Sequence, residues 1–143
     1  MVRVAGIEPT DVVLEIGPGR GILTRALASV ARRVMAIEKD RGLAGELRRE
    51  FGGGKTVAIV EGDILTITRE ALFRELGAPT FKVVANLPYN IASPVLFRLV
   101  EWREAVREAT VMLQREVAER LTAPPGSRTY GLLSVLIGLW AEG

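Results

Sequence analysis

The sequence predicts an α/β fold in which helices cover both faces of a doubly wound parallel sheet. Five short apolar runs recur along the chain with helical patterns between them, which is the alternation that builds parallel sheets. A glycine-rich turn follows the first run, as in α/β proteins that bind a nucleotide at the carboxyl ends of their strands. The length, 143 residues, suits one domain. Because the sequence contains no internal repeat or linker, residues 1–143 are expected to form one unit.

The apolar runs place the five expected strands at residues 12–16, 34–37, 57–60, 81–85 and 110–113. Two apolar stripes with helical spacing lie between the first three strands. The first stripe consists of Ile22, Leu23, Ala26, Leu27 and Val30, and the second of Leu43, Leu47 and Phe51. The three glycines at 52–54 are expected to end the second helix.

The second half of the chain continues this alternation. A third helix is expected around Ala71, Leu72 and Leu76, and Ser93 is the expected N-cap of a fourth, with Pro94 in its first turn. A short helix over 116–121 and a loop over 123–129 follow the fifth strand. Residues 132–140 are apolar nearly all round and predict a buried helix. A strand order of 3-2-1-4-5 would bring the ends of the first and fourth strands side by side.

The composition excludes several kinds of chemistry. The chain has no Cys and no His, so disulfides, thiolate zinc sites and a histidine general base are ruled out, and no metal is expected. Lys and Arg outnumber Asp and Glu by 19 to 17, an excess that permits a nucleic-acid partner without demanding one. No apolar run reaches the roughly 18 residues of a membrane span, and residues 1–4 are too polar for a signal peptide. A cytoplasmic protein without membrane contact is therefore expected.

The turn after the first strand predicts a nucleoside site. It contains Gly17, Gly19 and Gly21, whose missing side chains let a ligand approach the backbone. A dinucleotide fingerprint needs its third glycine one residue later, and Pro18 removes an N–H that a pyrophosphate would use. A nicotinamide dehydrogenase is therefore disfavoured. S-adenosylmethionine, which has no pyrophosphate, is the expected cofactor, and Glu15 is assigned to its site, although the glycines alone fit an ordinary tight turn equally well.

Two acidic residues at the next strand ends support the cofactor site. Glu38 ends the second strand, where a carboxylate grips ribose hydroxyls. Asp63 follows the third strand, where it can accept a hydrogen bond from an adenine amino group. Either acid alone is better explained as a solvated loop carboxylate, but three consecutive strand ends with suitable groups are not. Both acids, with the adjacent Lys39 and Ile64, are therefore assigned to the cofactor site.

The four residues after the fourth strand predict a catalytic motif, Asn86-Leu87-Pro88-Tyr89. An exocyclic adenine amine is a poor nucleophile until hydrogen-bond acceptors draw on its N–H bonds. The Asn86 side chain and the backbone carbonyl near Leu87 supply such acceptors without ionising, and Pro88 stiffens the turn that aims them. Tyr89 offers a ring on which a base can stack after leaving its strand. A loop that merely ends the strand is the alternative.

At this point the sequence strongly resembles a known family over essentially its whole length, the ribosomal RNA small-subunit adenine-N6,N6-dimethyltransferases of the KsgA type. Residues 15–19, Glu-Ile-Gly-Pro-Gly, look like the family's first motif, which many methyltransferases share. Glu38 and Asp63 match its ribose-binding and adenine-binding acids. More specific are three later blocks, which start at Asn86, at Gln114 and at Ser127.

The resemblance implies a Rossmann-like class I S-adenosylmethionine-dependent methyltransferase, with Asn86 also near the methionine portion of the cofactor. It implies that the partner is small-subunit rRNA or an immature small ribosomal subunit. The substrate would be two adjacent adenines near the 3′ end, each methylated twice. The family's Gln-Asn-Phe-Leu segment, last strands and small helical domain are not found in residues 1–143. We therefore expect an incomplete catalytic domain that transfers methyl groups poorly and self-associates, whereas the full enzyme would be a monomer.

Two other readings stay open at this stage. An Erm-type enzyme, which methylates a large-subunit rRNA adenine, shares the fold and the first motif. A ribosome-assembly or transcription factor would keep the fold as a nucleic-acid platform without catalysis, but the intact acids and Asn86 argue against it. Arg98, Arg103 and Arg107 are candidates to flank an RNA path, although each taken singly fits a solvated helix face.

Overall fold

The computed structural model describes residues 1–128, 131 and 134. Within them, strands and helices alternate strictly along the chain. The strands are β1 (Val12–Ile16), β2 (Arg33–Glu38), β3 (Val57–Glu61), β4 (Phe81–Asn86) and β5 (Val106–Met112). The helices are α1 (Ile22–Ala28), α2 (Arg41–Phe51), α3 (Arg69–Leu76), α4 (Ala92–Glu101) and α5 (Arg115–Leu121). The expected loop is observed over 123–128. Of the helix predicted over 132–140, only Ser134 is described, and it is helical; the rest lies outside the described residues.

The five strands form one parallel sheet in the order β3-β2-β1-β4-β5. The chain therefore builds outward from β1 to β3 and then returns to the other side of β1 to add β4 and β5. This reversal makes the carboxyl ends of β1 and β4 a topological switch point, where open α/β sheets bind their ligands. The predicted doubly wound parallel fold is confirmed, and the observed order is the one that would bring the ends of β1 and β4 side by side.

Apolar side chains fill both faces of the sheet, as a parallel sheet between two helical layers requires. All five residues of β1 are buried. Its successive residues Val13 and Leu14 belong to two separate hydrophobic clusters. The first cluster includes the buried side of α3 and α4, represented by Leu72, Leu76, Val95, Leu96 and Leu99. The second includes Leu27 and Ala31 on the side of α1.

Helix α4 begins earlier than the sequence predicts. Its N-cap is Ile91, and no side chain caps it, so the prediction of Ser93 as N-cap is wrong. The reason is the preceding turn, in which the Pro88 carbonyl accepts from the N–H groups of Ile91 and Ala92, both at 3.2 Å. Pro94 does lie in the first turn, where its missing N–H costs no intrahelical bond.

Strand β5 also begins earlier, at Val106 rather than at Thr110. It pairs with β4 alone in the described sheet, and Arg107 and Glu108 within it are exposed. Edge strands tolerate and even favour such charged residues. A search for apolar runs therefore missed the first part of the strand.

A buried ion pair joins β1 to β4 at the amino ends of the strands, opposite the switch point. Lys82 Nζ lies 2.9 Å from Asp11 Oδ2 and donates to the Gly6 carbonyl at 3.0 Å. The same Asp11 oxygen accepts from the Glu8 N–H at 2.8 Å. Burial opposes ionisation of Asp11, but the Glu8 N–H and the Lys82 ammonium outweigh it, so the pKa of Asp11 is lowered.

Candidate functional site

A cleft of about 760 Å³ opens at the carboxyl ends of β1 and β4. Four predicted site residues line it, namely Glu15, Gly17, Gly19 and Asn86. Its apolar lining comes from the first residues of the chain and from α1: Met1, Val2, Ile22, Leu23 and Ala26. The cleft is of the size at which small-molecule sites occur, about 300–1,000 Å³.

The glycine loop has a backbone that only glycine adopts easily. Gly17, Gly19 and Gly21 have φ values of 68°, 58° and 86°, in the left-handed region. The Gly17 N–H donates to the Ile37 carbonyl of β2 at 3.0 Å and is therefore not free for a ligand. A Cβ added at Gly17 or Gly19 would meet nothing within 4 Å. Close approach of a ligand therefore depends on the open space over these two residues.

Gly21 serves packing instead. A Cβ at this position would lie 2.8 Å from Leu47 Cδ2 of α2, a distance that forces one of the two to move. Its N–H donates to the Pro18 carbonyl at 3.0 Å, which closes the loop just before α1 begins. Gly21 is not among the residues that line the cleft, so its assigned role in cofactor binding is indirect.

Glu15 is the most unusual ionisable group of the site. It is 1% exposed, and Thr24 Oγ1 donates to its Oε2 at 2.6 Å. Its other oxygen, Oε1, is buried and has no hydrogen-bond partner among the described residues. Burial raises the pKa of Glu15 to about 7; the Thr24 hydroxyl opposes this rise, and the charge of Glu38 adds to it. Glu15 thus lies buried at the wall of the cleft with one carboxyl oxygen that has no partner among the described residues.

The raised pKa predicts how Glu15 affects stability. The folded state holds the Glu15 proton more tightly than the unfolded chain. Protonated Glu15 therefore contributes to the free energy of unfolding in full below about pH 4.5, and this contribution is lost as the pH rises through about 7. Glu15→Gln is therefore expected to gain stability relative to the parent over this window. The gain should exceed about 1 kcal/mol, since each pKa unit corresponds to about 1.4 kcal/mol.

Urea unfolding of both proteins at pH 5, 6, 7 and 8 measures this difference. Glu50→Gln is the control, because Glu50 lies at the surface, where it pairs with Arg25. A difference in the free energy of unfolding between parent and Glu15→Gln that stays constant from pH 5 to pH 8 would show that the pKa of Glu15 is not raised.

The two acids assigned to the cofactor lie on the same edge of the sheet, beyond the cleft lining. Glu38, at the end of β2, is 8% exposed, and its Oε2 accepts from the Lys39 N–H at 3.0 Å. Asp63 Oδ1 accepts from the Leu65 N–H at 2.9 Å, and its Oδ2 lies 3.4 Å from Lys39 Nζ. Ile64 is 5% exposed. The structure thus brings Lys39 and Asp63 together and places Glu38 next to the glycine loop.

The predicted catalytic motif lies on the other side of that loop. Ala85 pairs with Ile16 in the sheet, so Asn86, the last residue of β4, lies beside Gly17, and Asn86 is exposed. Leu87 is buried and bonded through its N–H to the Met112 carbonyl at 3.1 Å. The Pro88 carbonyl already accepts from the first turn of α4. Of the Leu87 and Pro88 carbonyls, that of Leu87 is therefore the candidate acceptor for a ligand. The Tyr89 ring, 57% exposed, can stack on a base.

Part of the site is not predicted by the sequence. The apolar periodicity places Ile22 and Leu27 on one face, but Leu27 is buried whereas Ile22 is 79% exposed and lines the cleft. Thr24, which is fully buried, was not predicted either. A threonine three positions before Leu27, on the buried face of a helix, was the available signal, because a buried hydroxyl needs a partner.

Two of the three arginines suggested for an RNA path have other roles in the structure. Arg98 is 22% exposed in its side chain and donates to the backbone of the loop that follows β3. Arg107 lies 3.7 Å from Asp11 at the opposite end of the sheet from the cleft. Arg103, which donates to the Val100 carbonyl at 3.2 Å, stays a candidate.

Neither a metal site nor a membrane span is found in the described part of the chain. No group of three or more acidic side chains there is arranged to hold a metal ion. Among residues 1–128, 131 and 134, no helix has the length and apolar composition that a transmembrane segment needs.

Comparison with known proteins points to one family. The sequence profile described as ribosomal RNA adenine dimethylase matches residues 1–143. The chain is 50% identical to the Ribosomal RNA small subunit methyltransferase A of Geobacter sulfurreducens, covering 89% of this chain and 46% of that protein. It is 47% identical to the protein of the same name from Magnetococcus marinus, covering 99% of this chain and 50% of that protein. The chain thus spans about half the length of these curated relatives.

Two solved structures resemble the fold. A dimethyladenosine transferase from Plasmodium falciparum superposes with a TM-score of 0.80 at 33% identity, covering 96% of this chain and 48% of that one. The 23S rRNA methyltransferase ErmE superposes with a TM-score of 0.72 at 34% identity, covering 96% of this chain and 52% of that one.

Proposed function

The chain belongs to the ribosomal RNA adenine dimethylase family, and on this premise we propose that it is the catalytic part of an enzyme that methylates adenine N6 in small-subunit rRNA with S-adenosylmethionine. One observation carries the proposal. The glycine loop after β1 and Asn86 at the end of β4 line the same cleft, so a methyl donor and a methyl acceptor can meet there. Two adjacent adenines near the 3′ end, each methylated twice, are the proposed target.

The residues around the cleft fit S-adenosylmethionine. The open space over Gly17 and Gly19 admits the nucleoside next to the backbone. Glu38 would accept from the ribose hydroxyls and Asp63 from the adenine amino group, while Lys39 orients Asp63. The unpaired Oε1 of Glu15 suits a cationic or N–H donor of the methionine end, because a buried acceptor is costly until it is paired.

The cofactor supplies an electrophilic methyl group on a sulfonium, and the protein prepares the nucleophile. The Asn86 Oδ1 and the Leu87 carbonyl would each accept a hydrogen bond from one N–H group of the adenine amine. This would turn the nitrogen lone pair toward the methyl group of the cofactor. Tyr89 would hold the base by stacking. The extra proton leaves the nitrogen easily once the nitrogen is alkylated, so a chain without histidine needs no general base for the slow step.

The ribose contact can be tested by replacing Glu38 with Ala. Loss of a hydrogen bond to a charged group is expected to weaken S-adenosylmethionine binding by about 1.5–3 kcal/mol, measured by isothermal titration. Glu61→Ala is the matched control, because Glu61 pairs with Glu38 in the sheet but is exposed, and its carboxylate lies 3.6 Å from Arg48. Equal affinities for the parent and Glu38→Ala would remove Glu38 from the site.

Methyl transfer itself is tested with radiolabelled S-adenosylmethionine on small and large ribosomal subunits that lack the modification. Label confined to adenines near the 3′ end of small-subunit rRNA, located by mass mapping, is the expected result. Label in large-subunit rRNA would support the Erm-type activity that the ErmE superposition keeps in view. The names of the curated relatives, at 43–50% identity, favour the small subunit.

The remaining expectations follow from that substrate. An enzyme of this kind would act on an immature small subunit in the cytoplasm, with RNA as its partner. A non-catalytic assembly factor on the same fold would bind RNA but give no heat with S-adenosylmethionine, so the cofactor titration also separates these two functions.

A further inference from the structure

Arg98 of α4 makes contacts that the proposed reaction does not use. Its Nε donates to the Ile64 carbonyl at 3.2 Å, and one terminal nitrogen donates to the Ile67 carbonyl. The other terminal nitrogen lies 3.3 Å from Glu101. All three nitrogens of the guanidinium are therefore engaged, two of them by the backbone of the loop between β3 and α3.

The arginine is held in place from its other side. Its guanidinium carbon lies 4.5 Å from the centre of the Trp102 ring, which is 3% exposed. A planar cation stacked on a buried ring and bonded at its edge has little rotational freedom. Arg98 thus connects two backbone carbonyls to a rigid support on α4.

The loop it holds is the one that carries Asp63. The Asp63 carbonyl accepts from the N–H groups of Thr66 and Ile67 at 3.0 and 2.9 Å, which makes residues 63–67 a compact turn. Within this turn the Leu65 N–H fixes one oxygen of the Asp63 carboxylate. The direction of that carboxylate therefore depends on the turn, and Arg98 binds the turn at the carbonyls of Ile64 and Ile67.

We propose that Arg98 is a positioning residue for adenine recognition: it holds the turn 63–67 so that Asp63 faces the amino group of the cofactor's adenine. The inference rests on the proposed function, because it presumes that a cofactor with an adenine binds there. It also connects the two halves of the site, since α4 is the helix that directly follows the Asn86 motif. Lysine cannot replace this arrangement, because one ammonium does not present the planar fork that reaches two carbonyls from a stacked position.

The test is a comparison of two ligands on the intact chain. S-adenosylhomocysteine carries the amino group that Asp63 would accept from, and S-inosylhomocysteine carries a carbonyl oxygen in its place. The parent is expected to prefer the adenine ligand by about 10-fold or more, in line with a hydrogen bond to a charged group. Arg98→Lys should weaken the adenine ligand about 5- to 10-fold and the inosine ligand less than about 2-fold, following partial loss of the same bond.

Two further variants make the test specific. The double variant Asp63→Asn with Arg98→Lys should lose little more affinity for S-adenosylhomocysteine than Asp63→Asn alone, because the effects of coupled residues are not additive. Arg69→Lys is the matched control, since Arg69 also stacks on a ring, that of Phe73 at 4.8 Å, but belongs to α3. It should leave the preference between the two ligands unchanged.

Each outcome decides the inference. Equal weakening of both ligands by Arg98→Lys, an unchanged preference, or additive losses in the double variant would overturn it while the proposed function stands. If the parent binds the adenine ligand but does not prefer it, the role of Asp63 fails and the inference fails with it. If the parent binds neither ligand, the proposed function itself is overturned.

Discussion

Asn86→Ala is expected to lower methyl transfer at least about 100-fold, while cofactor affinity falls much less. Removing one positioned acceptor or donor at a reacting group typically costs this much. Asn86 lies at the end of β4 beside Gly17 and lines the cleft. The Pro88 carbonyl, two residues further on, already accepts from the first turn of α4. No other uncharged amide side chain of the described motif is placed at the cleft, so the loss would not be compensated.

The measurement is single-turnover methylation of small-subunit rRNA by a form of the protein that spans the full length of its curated relatives. Asn90→Ala is the matched control, because Asn90 is also exposed, follows Tyr89 directly and is not among the residues that line the cleft. It should change the rate only a few-fold. Cofactor titration on both variants separates a loss of binding from a loss of chemistry. Normal methylation by Asn86→Ala would refute the acceptor role.

The parts of the fold that the sequence predicts well are those in which a local pattern and the buried surface agree. Val12–Ile16 is apolar except for Glu15 and is buried on both faces, so the strand bounds are the same in prediction and structure. Alternation limits the strand order to a few arrangements, because successive parallel strands are joined by right-handed crossovers, but the order itself is read from the structure. The predicted site residues share one edge of the sheet because each lies at or just after the carboxyl end of a strand.

What the sequence does not predict depends on contacts between distant residues. Thr24 bonds to Glu15 across 9 positions, and Arg98 reaches the Ile64 carbonyl across 34. Neither partner is marked by spacing, since a threonine in a helix and an arginine near a helix end are common. The apolar face of α1 misleads for a related reason, because the periodicity is the same whether a helix faces the core or a cleft. Only the packing distinguishes Leu27 from Ile22.

Lys82→Met is expected to destabilise the protein by about 3–5 kcal/mol, the cost of leaving one partner of a buried ion pair without the other. Asp11 is 3% exposed in its side chain and Lys82 is 11% exposed, so water cannot replace the lost ammonium readily. The Glu8 N–H remains, and Arg107 Nη1 lies 3.7 Å from the other Asp11 oxygen, but a neutral donor and a largely exposed cation at this distance compensate the buried carboxylate only in part. Lys55→Met, at an exposed lysine ahead of β3, is the control and should change the free energy of unfolding by less than about 0.5 kcal/mol.

The pH dependence identifies Asp11 as the cause. In the parent, the lowered pKa of Asp11 contributes stability that is present above its unfolded value of 3.8 and is lost as the pH falls through the folded value. Lys82→Met loses the part of that contribution that comes from Lys82, so the difference in the free energy of unfolding between the two proteins should be largest near neutral pH and should shrink as both are acidified below about pH 4. Asp11→Asn combined with Lys82→Met removes the buried carboxylate charge and should recover part of the loss at pH 7. The comparison is made by urea unfolding of the parent, Lys82→Met, the double variant and the Lys55→Met control. Each is measured at pH 7 and at the lowest pH where the parent stays folded. A loss in Lys82→Met that does not depend on pH and is not relieved by Asp11→Asn would mean that packing of the lysine stem, rather than its charge, stabilises the amino end of the sheet.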